Sequence, residues 1–281
     1  MADVITGNTQ LGFSKNDLIV AYVQKELKFS SKLLPFVTDM SVYAGKGMKS
    51  VKFPKLTSFT VQNRASGVAG DIQALTGALD TLNLDKNAFI SFLIDSSDEI
   101  QSSIDAKMEN AKRVASSMAR YVDEQIIATL EASAFLDIGA APITTALILD
   151  AREQLVKSFA NLSDCVLAVG PDQEKAMLQL TEFKDNSVYG GAPVIPSGQI
   201  GSVYGMPVLV HQGIATGKAY AWDKNAVAIA FQKAPQMAAQ PANQYGVGSE
   251  LIVMDQLFGV AALQTGELGA GAGLSPLIVK M

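Results

Sequence analysis

Apolar residues recur at steps of three and four between Ser97 and Leu130, the period that places side chains on one face of an α-helix. At 1.5 Å per residue this helix would be about 50 Å long, far longer than the mean helix of globular proteins. The pattern therefore predicts a long amphipathic strut, with its charged residues on the solvent or neighbour side. The apolar positions are Ile100, Ile104, Met108, Ala111, Ala115, Met118, Val122 and Ile126, and the charged positions are Asp105, Glu109, Lys112, Arg113, Arg120, Asp123 and Glu124.

The first 45 residues have the pattern of an arm rather than of a compact unit. A short helix is expected over Asp17–Leu27, and an extended run over Leu33–Val37. The cluster Gly45–Gly47 then interrupts regular structure.

A long hairpin is predicted after this cluster. One strand covers Lys49–Phe53 and ends at Pro54, and Thr57–Val61 could continue it beyond the proline. The tip of the hairpin is expected in Asn63–Gly77. A two-stranded ribbon is at best marginally stable alone in water, and the chain offers little to cover it, so we expect a neighbouring subunit to do so. The returning strand is expected over Thr81–Asp85 and Phe89–Ile94.

The remaining sequence predicts an α/β region followed by further strands. Two glycine-rich segments stand apart: a loop at Asn186–Ser197 and a flexible linker at Gly266–Gly273. The expected elements are a helix over Thr145–Phe159, a strand over Cys165–Val169, a helix over Gln173–Leu180 capped by Asp172, a strand-turn-strand unit over Gly198–Gln212 turning at Tyr204-Gly205, a hairpin of Ala219–Trp222 with Ala226–Phe231, a linker over Pro235–Tyr245, a strand over Glu250–Thr265 and a short apolar tail.

Composition and charge narrow the classes of function. The chain has 281 residues, of which 48% are hydrophobic and only 17% charged, with a net charge of −5 that argues against nonspecific nucleic-acid binding through phosphates. Residues 1–56 carry eight lysines against four acidic residues, so this segment is +4 and the remainder −9. Opposite charges suit head-to-tail contacts between copies of the chain, although a solvated basic segment fits the charge equally well.

Cellular location follows from three absences in the sequence. Cys165 is the only cysteine, which rules out an internal disulfide and fits a reducing compartment. Met1–Gln10 does not resemble a signal peptide, and no apolar run is long enough to span a membrane. We expect the protein to fold in a cytoplasm, with no membrane partner.

Candidate catalytic groups are few. Cys165 and His211 could form a nucleophile–base pair, but Cys165 lies in the apolar run of a predicted strand and fits a buried small hydrophobe better. One His and one Cys cannot supply a usual zinc site, and neither a serine-hydrolase elbow nor a P-loop is present. Gly266–Gly273 leads into no helix as a phosphate loop would, and Asp98 and Glu99 suit the dipole at a helix start. We expect no enzyme and no catalytic, cofactor or metal residues.

The order of these elements resembles that of the major capsid proteins of tailed bacteriophages, with the Hong Kong 97-type fold. The resemblance covers nearly the whole chain and depends on the combination of several loose phrases. They are "FISFLIDSSDEI" (Phe89–Ile100), "VGPDQEKAML" (Val169–Leu178), "GQIGSVYGMPVLVHQGI" (Gly198–Ile214), "AYAWDKNAVAIAFQK" (Ala219–Lys233) and "GSELIVMDQLFGVAALQTGEL" (Gly248–Leu268).

The resemblance implies an α+β fold with an N-terminal arm, an extended β-hairpin loop, a long spine helix in a peripheral domain, and an α/β axial domain. It also implies hexamers and pentamers that close into an icosahedral shell, with the extended loop lying on a neighbour's peripheral domain. The implied divisions are 1–45 for the arm, 46–95 for the extended loop, 96–137 for the peripheral domain with the spine helix, 138–218 for the axial domain, and 219–281 for the return to the peripheral domain and the tail.

Particular residues acquire roles under this resemblance. Asn186–Ser197 becomes the candidate loop at the capsomer centre. Carboxylates beside the spine become partners of the basic front in a neighbouring copy, at about 0–1 kcal/mol for each exposed pair. The acidic set is Asp95, Asp98, Glu99 and Asp105, and the basic set is Lys46, Lys49, Lys52 and Lys55.

Further partners are implied by the same resemblance. No long helical scaffolding segment is recognised in the N-terminal sequence, so a separate scaffolding protein is expected. The other implied partners are a portal protein, a possible decoration protein, and double-stranded DNA packaged without sequence specificity. Assembly would take place in the host bacterial cytoplasm and the protein would end in the virion. Two alternatives stay open, an encapsulin-type cellular compartment and a soluble α/β enzyme with an unrecognised site.

Overall fold

The computed structural model describes residues 31–56, 61, 63–64, 66–67, 70, 72, 77–94, 106–133, 136–137, 142–158, 160–180, 201–263 and 278–281. The described α-helices are α1 (Ala106–Ser133), α2 (Thr145–Lys157) and α3 (Pro171–Gln179). The described strands are β1 (Thr38–Asp39), β2 (Ser50–Leu56), β3 (Gly77–Asn83), β4 (Lys86–Ile94), β5 (Leu136–Asp137), β6 (Cys165–Val169), β7 (Ser202–Val203), β8 (Met206–Val210), β9 (Ala219–Asp223), β10 (Val227–Pro241), β11 (Glu250–Ala262) and β12 (Ile278–Lys280).

These strands form three sheets within the described part of the chain. A six-stranded mixed sheet has the order β5-β12-β9-β6-β8-β7, and a four-stranded sheet has the order β1-β10-β11-β4. The third sheet is the two-stranded ribbon β2-β3. The chain is therefore a mixed helix and sheet protein.

The long helix predicted from the hydrophobic period is present as α1. It runs for 28 residues to Ser133, about 42 Å at 1.5 Å per residue, while the predicted start at residues 97–105 lies outside the described residues. Its first half packs Ala115 and Met118 on Met254 of the four-stranded sheet. Its second half carries Val122, Ile126 and Leu130 into the main core that also contains the six-stranded sheet. One helix thus joins both layers.

The charged side of the predicted helix needs one correction. Asp123 was expected on the solvent or neighbour side, but it is only 2% exposed. The spacing places it four residues after Ala119 and four before Ile127, both of which are buried, so Asp123 lies on the apolar stripe itself.

The segment leading from Ser31 is part of the folded body. The predicted extended run is wrong, because residues Leu34–Phe36 form a 3₁₀ turn and only Thr38–Asp39 form a strand, parallel to β10. Leu33 and Val37 are buried in the main core, and the indole Nε1 of Trp222 donates to the carbonyl of Phe36 at 3.0 Å. The helix predicted over Asp17–Leu27 lies outside the described residues.

The predicted hairpin is correct in its first strand pair and wrong in its return. β2 and β3 pair antiparallel from Ser50–Asn83 to Leu56–Gly77, and β2 continues through Pro54 instead of ending there. β4 leaves the ribbon and pairs antiparallel with β11 in the four-stranded sheet. The alternation of apolar and polar residues identified each strand, but it does not specify the partner strand.

The base of the ribbon also has cover within the chain, contrary to the prediction. Val51, Leu82 and Leu84 pack in one cluster with Ala228 and Leu263. The expected lack of internal cover is wrong for this end of the ribbon.

The chain after residue 218 departs most from the prediction. The expected hairpin around Asp223–Asn225 is absent, because β9 pairs with β6 and β12 whereas β10 enters the other sheet. The expected linker over Pro235–Tyr245 is strand as far as Pro241, and β12 in the apolar tail is an interior strand between β5 and β9. The pairing partners of β9 and β12 lie far away in the sequence, and a local pattern does not contain such pairings. The strand over residues 235–241 instead pairs with the next strand, β11, as one arm of a hairpin.

Local predictions in the α/β region hold more closely. α2 begins after Thr144, whose side chain accepts from the amide of Leu147, and it buries Ile148, Ala151 and Leu155. The turn between β7 and β8 has positive φ at Tyr204 (50°) and Gly205 (88°), as a tight hairpin turn requires. Gly170 rather than the predicted Asp172 is the residue that precedes α3, with Pro171 in its first turn.

Candidate functional site

The sequence allowed the hypothesis that Cys165 and His211 form a catalytic pair, but the two residues lie apart in the structure. Cys165 begins β6, whereas His211 follows β8, and its amide donates to Val169 at the far end of β6. Cys165 and Val169 are four residues apart along the strand, so about 13 Å at 3.3 Å per residue separates Cys165 from the end of β6 that His211 contacts. The Cys165 thiol is buried, and burial, followed by the nearby carboxylates of Asp223 and Asp164, raises its pKa to about 12. This thiol is not a nucleophile near neutral pH.

His211 instead belongs to a buried polar cluster around Asp123. The imidazole Nε2 lies 3.1 Å from Asp123 Oδ2, and the Ser31 hydroxyl donates to Asp123 Oδ1 at 2.5 Å. The backbone amides of Lys32 and Leu33 also point at this carboxylate, at 3.2 and 3.4 Å. The Asp123 carboxylate therefore connects α1, the segment entering the core at Ser31, and the loop after β8.

The hydrogen bonds of this cluster assign the imidazole tautomer. The Gly213 amide donates to His211 Nδ1 at 3.0 Å, so Nδ1 is an acceptor and the ring proton is on Nε2, where it faces the carboxylate. A Cβ on Gly213 would lie 3.0 Å from His211 Cε1, which explains why this close approach uses glycine.

The cluster does not have the arrangement of a catalytic triad. The Ser31 hydroxyl donates to the carboxylate and not to the imidazole, and Nδ1 is occupied by the Gly213 amide. A serine nucleophile would need to give its proton to an imidazole nitrogen with a free lone pair. The geometry instead holds three segments of the chain together beside a cleft of about 400 Å³.

A second polar cluster surrounds Glu131 near the end of α1. Lys218 Nζ donates to its Oε1 at 2.7 Å, Lys280 Nζ lies 3.0 Å from the same oxygen, and the Tyr220 hydroxyl donates to Oε2. These hydrogen bonds, the one from Lys218 first, lower the pKa of Glu131 from 4.5 to about 2. The cluster joins α1 to β9 and β12 of the six-stranded sheet.

Sequence reasoning found neither cluster. Asp123 carried a detectable signal, because it is a carboxylate at i+4 and i−4 from apolar residues of the helix stripe. Glu131 carried none, since its partners come from positions 87, 89 and 149 residues away in the chain.

The charged surfaces proposed for subunit contacts are described only in part. Lys46, Lys49 and Lys52 are exposed, as the prediction requires. Their suggested partners Asp95, Asp98, Glu99 and Asp105 lie outside the described residues, as do Asn186–Ser197 and Gly266–Gly273.

The described residues lack two further kinds of functional feature. They contain no group of three or more His, Cys, Asp or Glu side chains arranged to hold a metal ion. None of their helices is long and apolar enough to cross a membrane. The expected absence of catalytic, cofactor and metal residues stays a prediction.

Comparison with known sequences decides the family. A sequence model of the family described as phage capsid protein matches residues 18–271. The chain belongs to this family. Membership points to a structural, shell-forming role rather than a catalytic one, and no curated protein matches the sequence.

Solved structures agree with this phage capsid protein in fold. A chain of Mycobacterium phage Che8 is 19% identical, with a TM-score of 0.73 and coverage of 89% of this chain and 90% of that one. The capsid of cyanophage P-SCSP1u is 16% identical, with a TM-score of 0.68 and coverage of 87% and 85%. A virus-like particle from Pyrococcus furiosus is 8% identical, with a TM-score of 0.63 and coverage of 96% and 100%. At these identities the similarity establishes the fold alone.

Proposed function

We propose that this capsid protein assembles as hexamers and pentamers into the icosahedral head of a tailed bacteriophage that encloses double-stranded DNA. The observation that carries the proposal is the family match over residues 18–271. The fold similarity to a chain of Mycobacterium phage Che8 and to the capsid of cyanophage P-SCSP1u, over 85% or more of each chain compared, supports it. The fold is of the Hong Kong 97 type in this proposal, with α1 as the spine helix.

The predicted divisions belong to the same proposal. They are the arm over 1–45, the extended loop over 46–95, the peripheral domain over 96–137 and 219–281, and the axial domain over 138–218. The two polar clusters then serve the shell by fixing the spine helix to the body of each subunit, so that a subunit enters the lattice as one rigid unit. Preorganisation of this kind lowers the entropy cost of association.

The ribbon β2-β3 supplies the physical reason for assembly. Its base is packed inside the chain, but Leu79 in β3 is 61% exposed. Val61 and Ile72, which lie between the two strands in the sequence, are 97% and 98% exposed. Large apolar side chains exposed in this way gain stability when another surface covers them. In the proposed shell that surface is the peripheral domain of a neighbouring subunit.

The proposal includes the partners of a phage head. A separate scaffolding protein directs closure, a portal protein occupies one vertex, and a decoration protein has room outside. The shell forms in the host bacterial cytoplasm and becomes part of the virion.

An encapsulin-type compartment is the second candidate. The fold likeness to a virus-like particle from Pyrococcus furiosus, over the whole of that chain, favours it. The two functions differ in content, since a phage head holds DNA and a compartment holds protein cargo.

Light scattering with electron microscopy of the purified chain tests the proposal, alone and with a candidate scaffolding protein. Megadalton hollow particles, sheets or tubes are expected. A uniform small oligomer under both conditions would overturn the proposal. Nuclease-protected double-stranded DNA in particles from infected cells would favour the phage head, and tightly held protein cargo without DNA would favour the compartment.

A further inference from the structure

The turn that joins β1 to the ribbon exposes an unusual amount of apolar surface. Residues 41–49, called the knob below, carry Val42, Tyr43 and Met48 at 92%, 61% and 51% exposure. Single exposed apolar residues are common on protein surfaces, but three large ones in one short turn indicate a contact surface.

The backbone of the knob is fixed by the rest of the subunit. Gln232 Nε2 donates to the carbonyls of both Gly45 and Met48 at 2.8 Å. The Phe231 amide donates to the Ser41 hydroxyl at 3.0 Å, and the Ser41 amide donates to Asp39 at 2.9 Å. The knob therefore presents its apolar side chains in a preformed arrangement.

Packing beneath the knob has the same effect. Met40 and Ala44 pack against the cluster that contains Val51 and Leu82. The Tyr43 ring meets the ring of Phe53 edge to face, with centroids 6.4 Å apart. A surface held in this way loses little conformational entropy on binding, which is the property of an interface anchor.

The charge around the knob indicates the chemistry of a partner that would fit it. Lys46, Lys49 and Lys52 are exposed on or beside it, in the segment of the chain that is +4, whereas residues 57–281 are −9. The chemistry that fits this surface is an apolar patch bordered by carboxylates. A DNA backbone would meet the lysines but leave Val42 and Met48 without apolar contact.

We infer that the knob is a contact site for the acidic part of a second copy of this chain. The contact joins two different surfaces, so it is head-to-tail and closes into rings when repeated around an axis. The inference depends on the proposed shell and names a surface within it that is separate from the exposed length of the ribbon.

A thiol placed in the knob tests this contact. The only native thiol, Cys165, is buried, so a Val42→Cys variant can be labelled selectively with a maleimide. Val156→Cys is the control, because Val156 on α2 is also an exposed valine, at 47%. Labelling is measured in free subunits and in purified assemblies of the chain, formed both without and with the candidate scaffolding protein.

The expected result is selective protection. Val42→Cys should react about tenfold more slowly in shells than in subunits, the ordinary effect of burial in an interface, while Val156→Cys should be protected less. Equal protection at both positions would show general crowding and overturn the inference. Unchanged labelling of Val42→Cys would also overturn it, as would protection that appears only when scaffolding protein is added.

A second variant set measures the contribution of the contact. The knob variant combines Val42→Ser, Tyr43→Ser and Met48→Ser. It should leave the subunit folded but raise the protein concentration needed for assembly by about tenfold or more, because removal of anchoring side chains weakens an interface by this amount. Leu149→Ser with Val156→Ser, on the exposed side of α2, is the control and should assemble more readily than the knob variant. Normal assembly of the knob variant would contradict the inference while leaving the shell intact. Failure of the unaltered chain to form any shell would defeat the proposed function as well.

Discussion

Single side chains determine how α1 is attached to the rest of the chain. A carboxylate out of contact with water is tolerated only where hydrogen-bond donors surround it. Asp123 meets this requirement with the Ser31 hydroxyl, the backbone amides that follow it, and His211. Its role is therefore structural, and the side chains that meet it lie 88 and 92 positions away from Asp123 in the chain, on opposite sides of it.

Replacement of Asp123 by alanine should destabilise the subunit by about 3 kcal/mol or more, because it leaves several buried donors without an acceptor. Glu124→Ala is the neighbouring control, since Glu124 is exposed and surface substitutions usually change stability by less than about 0.5 kcal/mol. Urea unfolding of the free subunit measures both free energies. Equal losses in the two variants would show that the cluster does not hold the helix.

The lowered pKa of Glu131 predicts that the stability of the subunit depends on pH. Its pKa is about 2 in the folded subunit against an ordinary 4.5, so its contribution is complete above pH 4.5 and is lost as the pH falls toward 2. The side chain is 34% exposed, so solvent screening reduces the contribution to about 1 kcal/mol. The difference in unfolding free energy between the unaltered chain and Glu131→Gln should shrink over this interval. A difference that stays constant from pH 6 to pH 2 would contradict the assignment.

At the scale of elements, the end of the ribbon lies directly against the four-stranded sheet. A Cβ at Gly259 in β11 would lie 2.0 Å from the carbonyl oxygen of Asn83, at the end of β3. Only glycine allows the two backbones to approach this closely. The absence of one side chain therefore sets how the ribbon leaves the body of the subunit.

Gly259→Ala should cost about 2–3 kcal/mol, because the backbone of β3 has to move away from β11. Gly201→Ala is the control, since a Cβ there would have no atom within 4 Å. Thermal unfolding of both variants against the unaltered subunit checks the expectation. A Gly259→Ala subunit as stable as the control would show that the contact adjusts without strain.

At the scale of the whole molecule, the subunit has a body that is complete in itself and a ribbon that is not. Both larger sheets share the long helix and a continuous core, whereas Leu79 of the ribbon is exposed, as are Val61 and Ile72 in the sequence between its two strands. In the proposed shell, folding of the subunit and closure of the lattice therefore depend on different parts of the chain.

Deletion of Asn63–Gly77 should leave the subunit folded and prevent closed shells, because the base of the ribbon keeps its packing while the segment that contacts a neighbour in the proposed shell is removed. Circular dichroism and urea unfolding report on the subunit, and electron microscopy reports on the shells. Closed shells of normal appearance from this variant would show that the ribbon is dispensable for assembly.

The sequence alone determined the features that depend on local order along the chain. The 3.6-residue period identified α1, the pair Tyr204-Gly205 identified the turn between β7 and β8, and the excess of lysine in residues 1–56 identified a basic front. The order of elements was also sufficient for the resemblance to phage capsid proteins, which the family match confirms.

Tertiary structure alone decided which strands pair and which polar groups are buried. β4 pairs with β11 instead of returning along the ribbon, β9 and β10 enter different sheets, and the chain end becomes an interior strand. Asp123 and Glu131 acquire their partners in the same way, from segments far apart in the sequence. Periodicity is a property of neighbouring residues, whereas pairing and burial depend on the free energy of contacts between distant ones, so no local pattern contained these outcomes.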